Sequence, residues 1–175
     1  MKKIISMMSM AVLLSAGNFT LTSSDLQGQL TLDQEFNGFG CSGKNISPEL
    51  IWKNAPKGTK SFALTVYDPD APTGSGWWHW IVVNIPANID HIAQNASSMN
   101  ALPKGALETM TDYGKAGFGG ACPPQGDKPH EYRFTIHALD VEKLDVDAKS
   151  DSALVGFMIN HHTIEKATIV SYYKR

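Results

Sequence analysis

A mostly β chain, folded as an antiparallel β-sandwich with long loops and one or two short helices, is what this sequence points to. Three observations point there. Segments 61–67 and 78–84 are runs of β-branched and aromatic residues, each closed by turn formers. Segment 131–139 alternates Tyr132, Phe134, Ile136 and Ala138 against Arg133, Thr135 and His137, which reads as a half-buried strand. Only 150–160 has helical spacing, and many short strands with one short helix imply two packed sheets.

Met1-Lys2-Lys3 is a basic start, Ile4 to Leu14 is an apolar run, and Ser15-Ala16-Gly17 offers small residues for cleavage. The run is about half of what a membrane-spanning helix needs, so 1–17 is expected to be a signal peptide and 18–175 one domain. Short strands are expected at 18–22, 30–33 and 50–52. Pro56-Lys57-Gly58 precedes strand 61–67, a turn of Pro, Gly and Asp residues over 69–76 follows it, and Pro86 closes strand 78–84. The stretches 86–107 and 112–129 carry little regular pattern, and loops that long usually serve function. Asp151 or Ser152 is placed to cap the helix, with Leu154, Val155, Met158 and Ile159 as its apolar stripe. A final strand is expected at 167–173.

Loss of residues 1–17 removes Lys2 and Lys3, leaving 13 of the 15 basic residues and all 17 acidic ones, a net charge of about −4. That balance argues against nucleic acid and against adhesion to an anionic membrane. No second apolar run is long enough to cross a bilayer, and a periplasmic or secreted location follows from the leader. In such a compartment an even cysteine count favours a disulfide, here Cys41 with Cys122, against the alternative of two buried thiols. Asn18, Asn45 and Asn95 open Asn-x-Ser/Thr triplets that matter only in a glycosylating host.

Two constellations carry chemistry. Asp68-Pro69-Asp70-Ala71-Pro72 ends one strand and Trp77-Trp78-His79-Trp80 opens the next. The prolines stiffen the turn, and a carboxylate there is in reach of a neighbouring imidazole. Gly117-Phe118-Gly119-Gly120-Ala121-Cys122-Pro123-Pro124-Gln125-Gly126 is then followed by His130-Glu131-Tyr132. Gly119-Gly120 permits close backbone approach, and consecutive N–H groups can form an anion nest. His130 and Tyr132 share one strand face. His161-His162 lacks a spaced third ligand and reads as a solvated pair, with no metal. His91 and His137 read as surface or satisfied sheet residues.

These motifs in this order resemble the paired signature of the phosphatidylethanolamine-binding proteins, a family that includes the Raf kinase inhibitor proteins. Cys41-Ser42-Gly43-Lys44-Asn45-Ile46-Ser47-Pro48 and Trp52 match the segment before the first signature, so the likeness covers nearly the whole mature chain. The compact length is similar to the bacterial branch. The resemblance implies a sandwich of two antiparallel sheets with a small anion-binding cleft at one end. Carried over by motif, the cleft is lined by Asp68, Asp70, Pro72, Trp78, His79, the backbone from Gly120 through Cys122 to Pro123, His130 and Tyr132. Three positions depart from the pattern. Ala121 stands where many bacterial members have proline, Glu131 where arginine is common, and Trp78 where several eukaryotic relatives have histidine.

Three functions compete on these residues. A binding module would hold phosphate, a phospho-headgroup or an acidic peptide, with Asp68 or Asp70 orienting His79. An enzyme would use Cys122 beside His79 or His130 as a thiol nucleophile, a role that a disulfide forbids. Gly74-Ser75-Gly76 lacks the spacing of a nucleophile elbow. A regulator would inhibit an envelope or host protein, as relatives inhibit kinases or proteases. The expectation is an exported anion-binding protein without catalysis or cofactor, compatible with a protein partner and with a homodimer.

Overall fold

The computed structural model describes residues 17–175, so the expected leader lies outside the described residues except for Gly17. Eight strands and one helix follow in the order β1 (Thr20–Thr22), β2 (Leu50–Lys53), β3 (Ser61–Asp68), β4 (Trp77–Pro86), β5 (His91–Ile92), β6 (Leu107–Glu108), β7 (His130–Leu139), α1 (Ser152–His162) and β8 (Thr163–Tyr173). They form two antiparallel sheets, ordered β1-β2-β5 and β6-β4-β3-β7-β8. β3 is the centre of the larger sheet. Phe62, Leu64 and Val66 point from it into the main core, where Leu21, Leu50, Trp52 and Ile92 of the small sheet meet them. Ala63 faces the other way, with Ile81, Val83 and Leu139, onto Val155 and Ile159 of α1. A strand buried on both faces reads as a continuous apolar run, which is how this one reads.

Three expectations change. Segment 30–33 is a turn: Gln34 and Glu35 donate to the Thr31 carbonyl, and the Gln34 side-chain oxygen accepts from Thr31 N. A side chain that bonds back to its own backbone competes with strand pairing. β7 is not half-buried. Arg133 is exposed, but Thr135 and His137 are buried beneath the start of β8, where His137 meets the hydroxyls of Thr65 and Thr163. Leu154, expected on the buried stripe of α1, is 47% exposed, while Val155 and Ile159 carry the contact. Asp151 caps the helix, accepting from Leu154 N at 2.9 Å.

The long loops gather at one end of the large sheet. Cys41 and Cys122 are disulfide-bonded with their Cα atoms 5.9 Å apart, which joins the loop after β1 to the loop before β7. The same two loops are held by Arg175, whose Nη1 donates to the Gly40 carbonyl at 2.7 Å and whose Nε donates to the Pro123 carbonyl at 2.9 Å.

Candidate ligand-binding site

The sheet register brings the first constellation together. Asp68, the last residue of β3, pairs with Trp77, the first of β4, and β7 enters on the other side of β3 with Tyr67 opposite Arg133. The β3–β4 ladder slips between Val66, opposite Trp80, and Tyr67, opposite Trp78, which leaves His79 as an extra, bulged residue. A bulge re-aims the side chains on either side of it. Trp80 accordingly enters the main core while Trp78 packs with the helix-side cluster, although two residues apart on a regular strand would share a face.

The carboxylate that ends β3 is engaged by the protein through both oxygens. Asp68 Oδ1 accepts from Asp70 N at 2.8 Å and Ala71 N at 3.1 Å, the Asx-type turn that Pro69 and Pro72 stiffen. Its Oδ2 meets His130 Nδ1 at 2.8 Å, and His130 Nε2 lies 3.3 Å from Asp127 Oδ2. Asp70 turns outward: it accepts from Lys128 Nζ at 2.6 Å and from Glu131 N at 2.9 Å, and the Lys128 bond foremost holds its carboxyl below the usual range. The aspartate therefore orients His130. His79, which the sequence reading paired with an aspartate, is held by backbone: its Nδ1 lies 2.8 Å from the Gly119 carbonyl and 3.1 Å from that of Gly120. Carbonyls only accept, so the proton sits on Nδ1 and Nε2 carries a lone pair. Burial, the largest influence, pushes the His79 pKa down and keeps the ring neutral.

The glycine loop works differently from an anion nest. Gly119 N donates to the His79 carbonyl, Gly120 N to Asn45 Oδ1 at 2.7 Å, and Ala121 N to the Gln34 carbonyl. All three main-chain donors are spent inside the protein. Gly120 is required for its own packing, because a Cβ there would run into the backbone of Gln34 and Glu35. Asn45 also donates to the Phe118 carbonyl at 3.1 Å, so its side chain is a brace and not a free sequon.

A cavity of about 180 Å³ opens at this end of the sheet. Of the residues expected there, Asp68, Pro72, His79, Cys122, Pro123, His130 and Tyr132 line it. Asp70 faces Lys128, Trp78 packs at a tilt on Tyr67 with ring centres 4.6 Å apart, and Gly120 sits behind the wall, accepting from His79 and Tyr113. Ala71, Thr73 and Pro124 also line it, with three aromatics that were not anticipated as lining, Trp77, Tyr113 and Phe39. Their signal was faint: Phe39 stands between Gly38 and Gly40 and Tyr113 precedes Gly114, each a lone aromatic in a loop. The rings form a collar, with Tyr113 5.5 Å from both Phe39 and His79 and 5.4 Å from Trp77. Two buried polar atoms of the wall residues have no hydrogen-bond partner among the described residues, His79 Nε2 and the Tyr132 hydroxyl. Burial, with Asp68 nearby, pushes the Tyr132 pKa far up, so this hydroxyl keeps its proton. Among the described residues no group of three or more His, Cys, Asp or Glu is arranged to hold a metal.

Comparison with known proteins identifies the family and the fold. The family model described as phosphatidylethanolamine-binding protein matches residues 22–174. YbcL of Escherichia coli (strain K12) is 53% identical over 163 residues, spanning 91% of this chain and 89% of YbcL. YbhB of the same organism is 50% identical over 156 residues, spanning 87% of this chain and 98% of YbhB. The crystal structure of E. coli YbcL, described as a new member of the mammalian PEBP family, superposes with a TM-score of 0.88 over 91% of this chain and 99% of that one. That of the homologue CT736 from Chlamydia trachomatis, at 27% identity, superposes with a TM-score of 0.73 over 90% of this chain and 97% of that one.

Proposed function

The chain belongs to the phosphatidylethanolamine-binding protein family, and from that premise we propose that it is an exported binding protein that holds a small oxyanion, phosphate or a phospho-headgroup, without catalysing a reaction. One observation carries the reading: two buried polar atoms without partners, His79 Nε2 and Tyr132 Oη, on residues lining a cavity of about 180 Å³. An unmet buried polar group costs about 1–3 kcal/mol, so a ligand that meets both is favoured at that point. The volume falls below the ~300–1,000 Å³ of pockets that enclose drug-sized ligands, which suits a head group. Cys122 is tied to Cys41, so the thiol that a cysteine nucleophile needs is not free. Phe39, 71% exposed beside the opening, favours a second reading in which an acidic side chain of a partner protein enters the cavity.

Thermal melting tests the site. The mature protein is melted with phosphate, phosphoethanolamine and acetate, beside the His79→Ala variant. A ligand at a hundredfold excess over its dissociation constant adds roughly 2.7 kcal/mol, which at about 2–4 °C per kcal/mol raises the melting temperature by roughly 5–10 °C. The shift is expected in the native protein and lost in the variant. No shift with any compound would sink the anion reading and leave the protein partner. Mass spectrometry of the mature N-terminus checks export, with cleavage expected near Gly17.

A further inference from the structure

Resting on the reading that this cavity holds an oxyanion, we infer that it selects the form that still carries a proton, a hydrogen phosphate monoester in preference to the dianion. The wall presents acceptors where an anion site would ordinarily present donors. His79 Nδ1 is bound to two carbonyls, which leaves Nε2 as a bare lone pair. Asp68 adds a carboxylate, already held by Asp70 N, Ala71 N and His130. Both His130 nitrogens face carboxylates, and the Tyr113 hydroxyl donates to the Gly120 carbonyl at 2.7 Å. The amides of Gly119, Gly120 and Ala121 are consumed. No Lys or Arg lines the cavity, and the ammonium of Lys128 is paired with Asp70. Among the buried side chains of the wall, the Tyr132 hydroxyl is the donor left without a partner.

A dianion here would set lone pairs against His79 Nε2 and like charge against Asp68. A monoprotonated phosphate eases the conflict: it carries one negative charge fewer, its one O–H donates to Nε2 or to the Asp68 carboxylate, and an ionised oxygen accepts from Tyr132. His79 is surrounded by Asp68 from β3, Asp112 and Tyr113 from the 112–129 loop, and Tyr132 from β7. Asp112 is itself occupied by Trp78 N and the Ser152 hydroxyl. None of these supplies a positive charge for a dianion. The collar of Phe39, Trp77 and Tyr113 keeps the dielectric low and sharpens the discrimination.

Calorimetric titration of the mature protein between pH 5 and 8 tests this, with methyl phosphate, methylphosphonate and sulfate as probes. A phosphate monoester loses its second proton near pH ~6, so methyl phosphate is expected to bind about 100-fold more weakly at pH 8 than at pH 5. Methylphosphonate, a weaker acid, is expected to keep its affinity to higher pH, because the midpoint follows the ligand. Sulfate, which has the shape but carries no proton in this range, is expected not to bind. An Asp68→Asn protein that folds, as judged by its melting curve, is expected to lose most of the pH dependence, since its amide supplies a hydrogen. A midpoint shared by both phosphorus ligands would assign the titration to the protein and overturn the inference. Sulfate binding as tightly as methyl phosphate at pH 8 would do the same. Absence of binding by all three probes at every pH would instead overturn the anion reading itself.

Discussion

Replacing both cysteines by serine removes the one covalent tie between the loop after β1 and the loop before β7. Cys41 and Cys122 are 81 residues apart in sequence, and closing a loop of that length restrains the unfolded chain by about 4.5 kcal/mol in the chain-entropy account. The folded state should change little. Phe36 N donates to the Ala121 carbonyl, Ala121 N donates to the Gln34 carbonyl, and Arg175 bridges Gly40 and Pro123, so the same loops stay docked. The loss should therefore come from the unfolded side. Urea unfolding of the native protein against Cys41→Ser/Cys122→Ser is expected to show a loss of roughly 3–5 kcal/mol, together with a larger denaturant slope because the unlinked chain exposes more surface. At about 2–4 °C per kcal/mol, the melting temperature should fall by roughly 6–20 °C. A loss below about 1 kcal/mol with an unchanged slope would refute the reasoning, since the cross-link would then restrain nothing that the unfolded chain explores.

Two further outcomes follow from buried groups. Tyr132→Phe deletes a buried hydroxyl that has no partner; unfolding is expected to show unchanged or up to about 1 kcal/mol greater stability, while the ligand-induced melting shift diminishes. A clear loss of stability would mean that the hydroxyl has a partner in the free protein. His137 is buried between Thr65 and Thr163, and burial, the largest influence, followed by the Lys166 charge, pushes its pKa from 6.5 down to about 4. The unfolded chain then binds the proton first, so stability is complete above pH 6.5 and falls as the pH drops toward 4, by roughly 3 kcal/mol at most. Urea midpoints of His137→Gln across that range are expected to slope less than those of the native protein, and an equal slope would assign the acid lability elsewhere.

The strands were legible because their signals are local. β3 and β4 fall where their β-branched and aromatic runs lie, and β8 only starts earlier, at Thr163, directly after α1. What local pattern cannot carry is where the chain slips register. Strict alternation puts Trp78 and Trp80 on one face; the bulge at His79 sends them to opposite faces and sets Trp77 in the cavity wall. The site followed the same division. Motif order identified Asp68, His79, His130 and Tyr132 as neighbours, but which histidine the carboxylate would take depends on how the loop over 117–126 docks. That docking rests on Asn45, Gln34 and Phe36, which are remote in sequence from both constellations. Thr135 and His137 looked outward because their partners Thr168 and Thr163 come later in the chain.

That docking also separates what holds the site from what reads the ligand. The glycine loop has the composition of an anion cradle, yet its N–H groups meet Asn45 Oδ1 and the carbonyls of His79 and Gln34, and its own carbonyls take the proton of His79. On the proposed reading, the loop would act on a ligand through the tautomer it imposes on His79 and through Cys122 and Pro123, which line the cavity. On that reading, recognition would fall to His79 and Tyr132, buried side chains of β4 and β7, strands that are mostly buried and rigid for that reason. Their orphaned atoms lower the stability of the empty protein, and a ligand that satisfied them would restore what was lost. Substitutions in the loop should accordingly register first as changes in stability, and substitutions at His79 and Tyr132 as changes in binding.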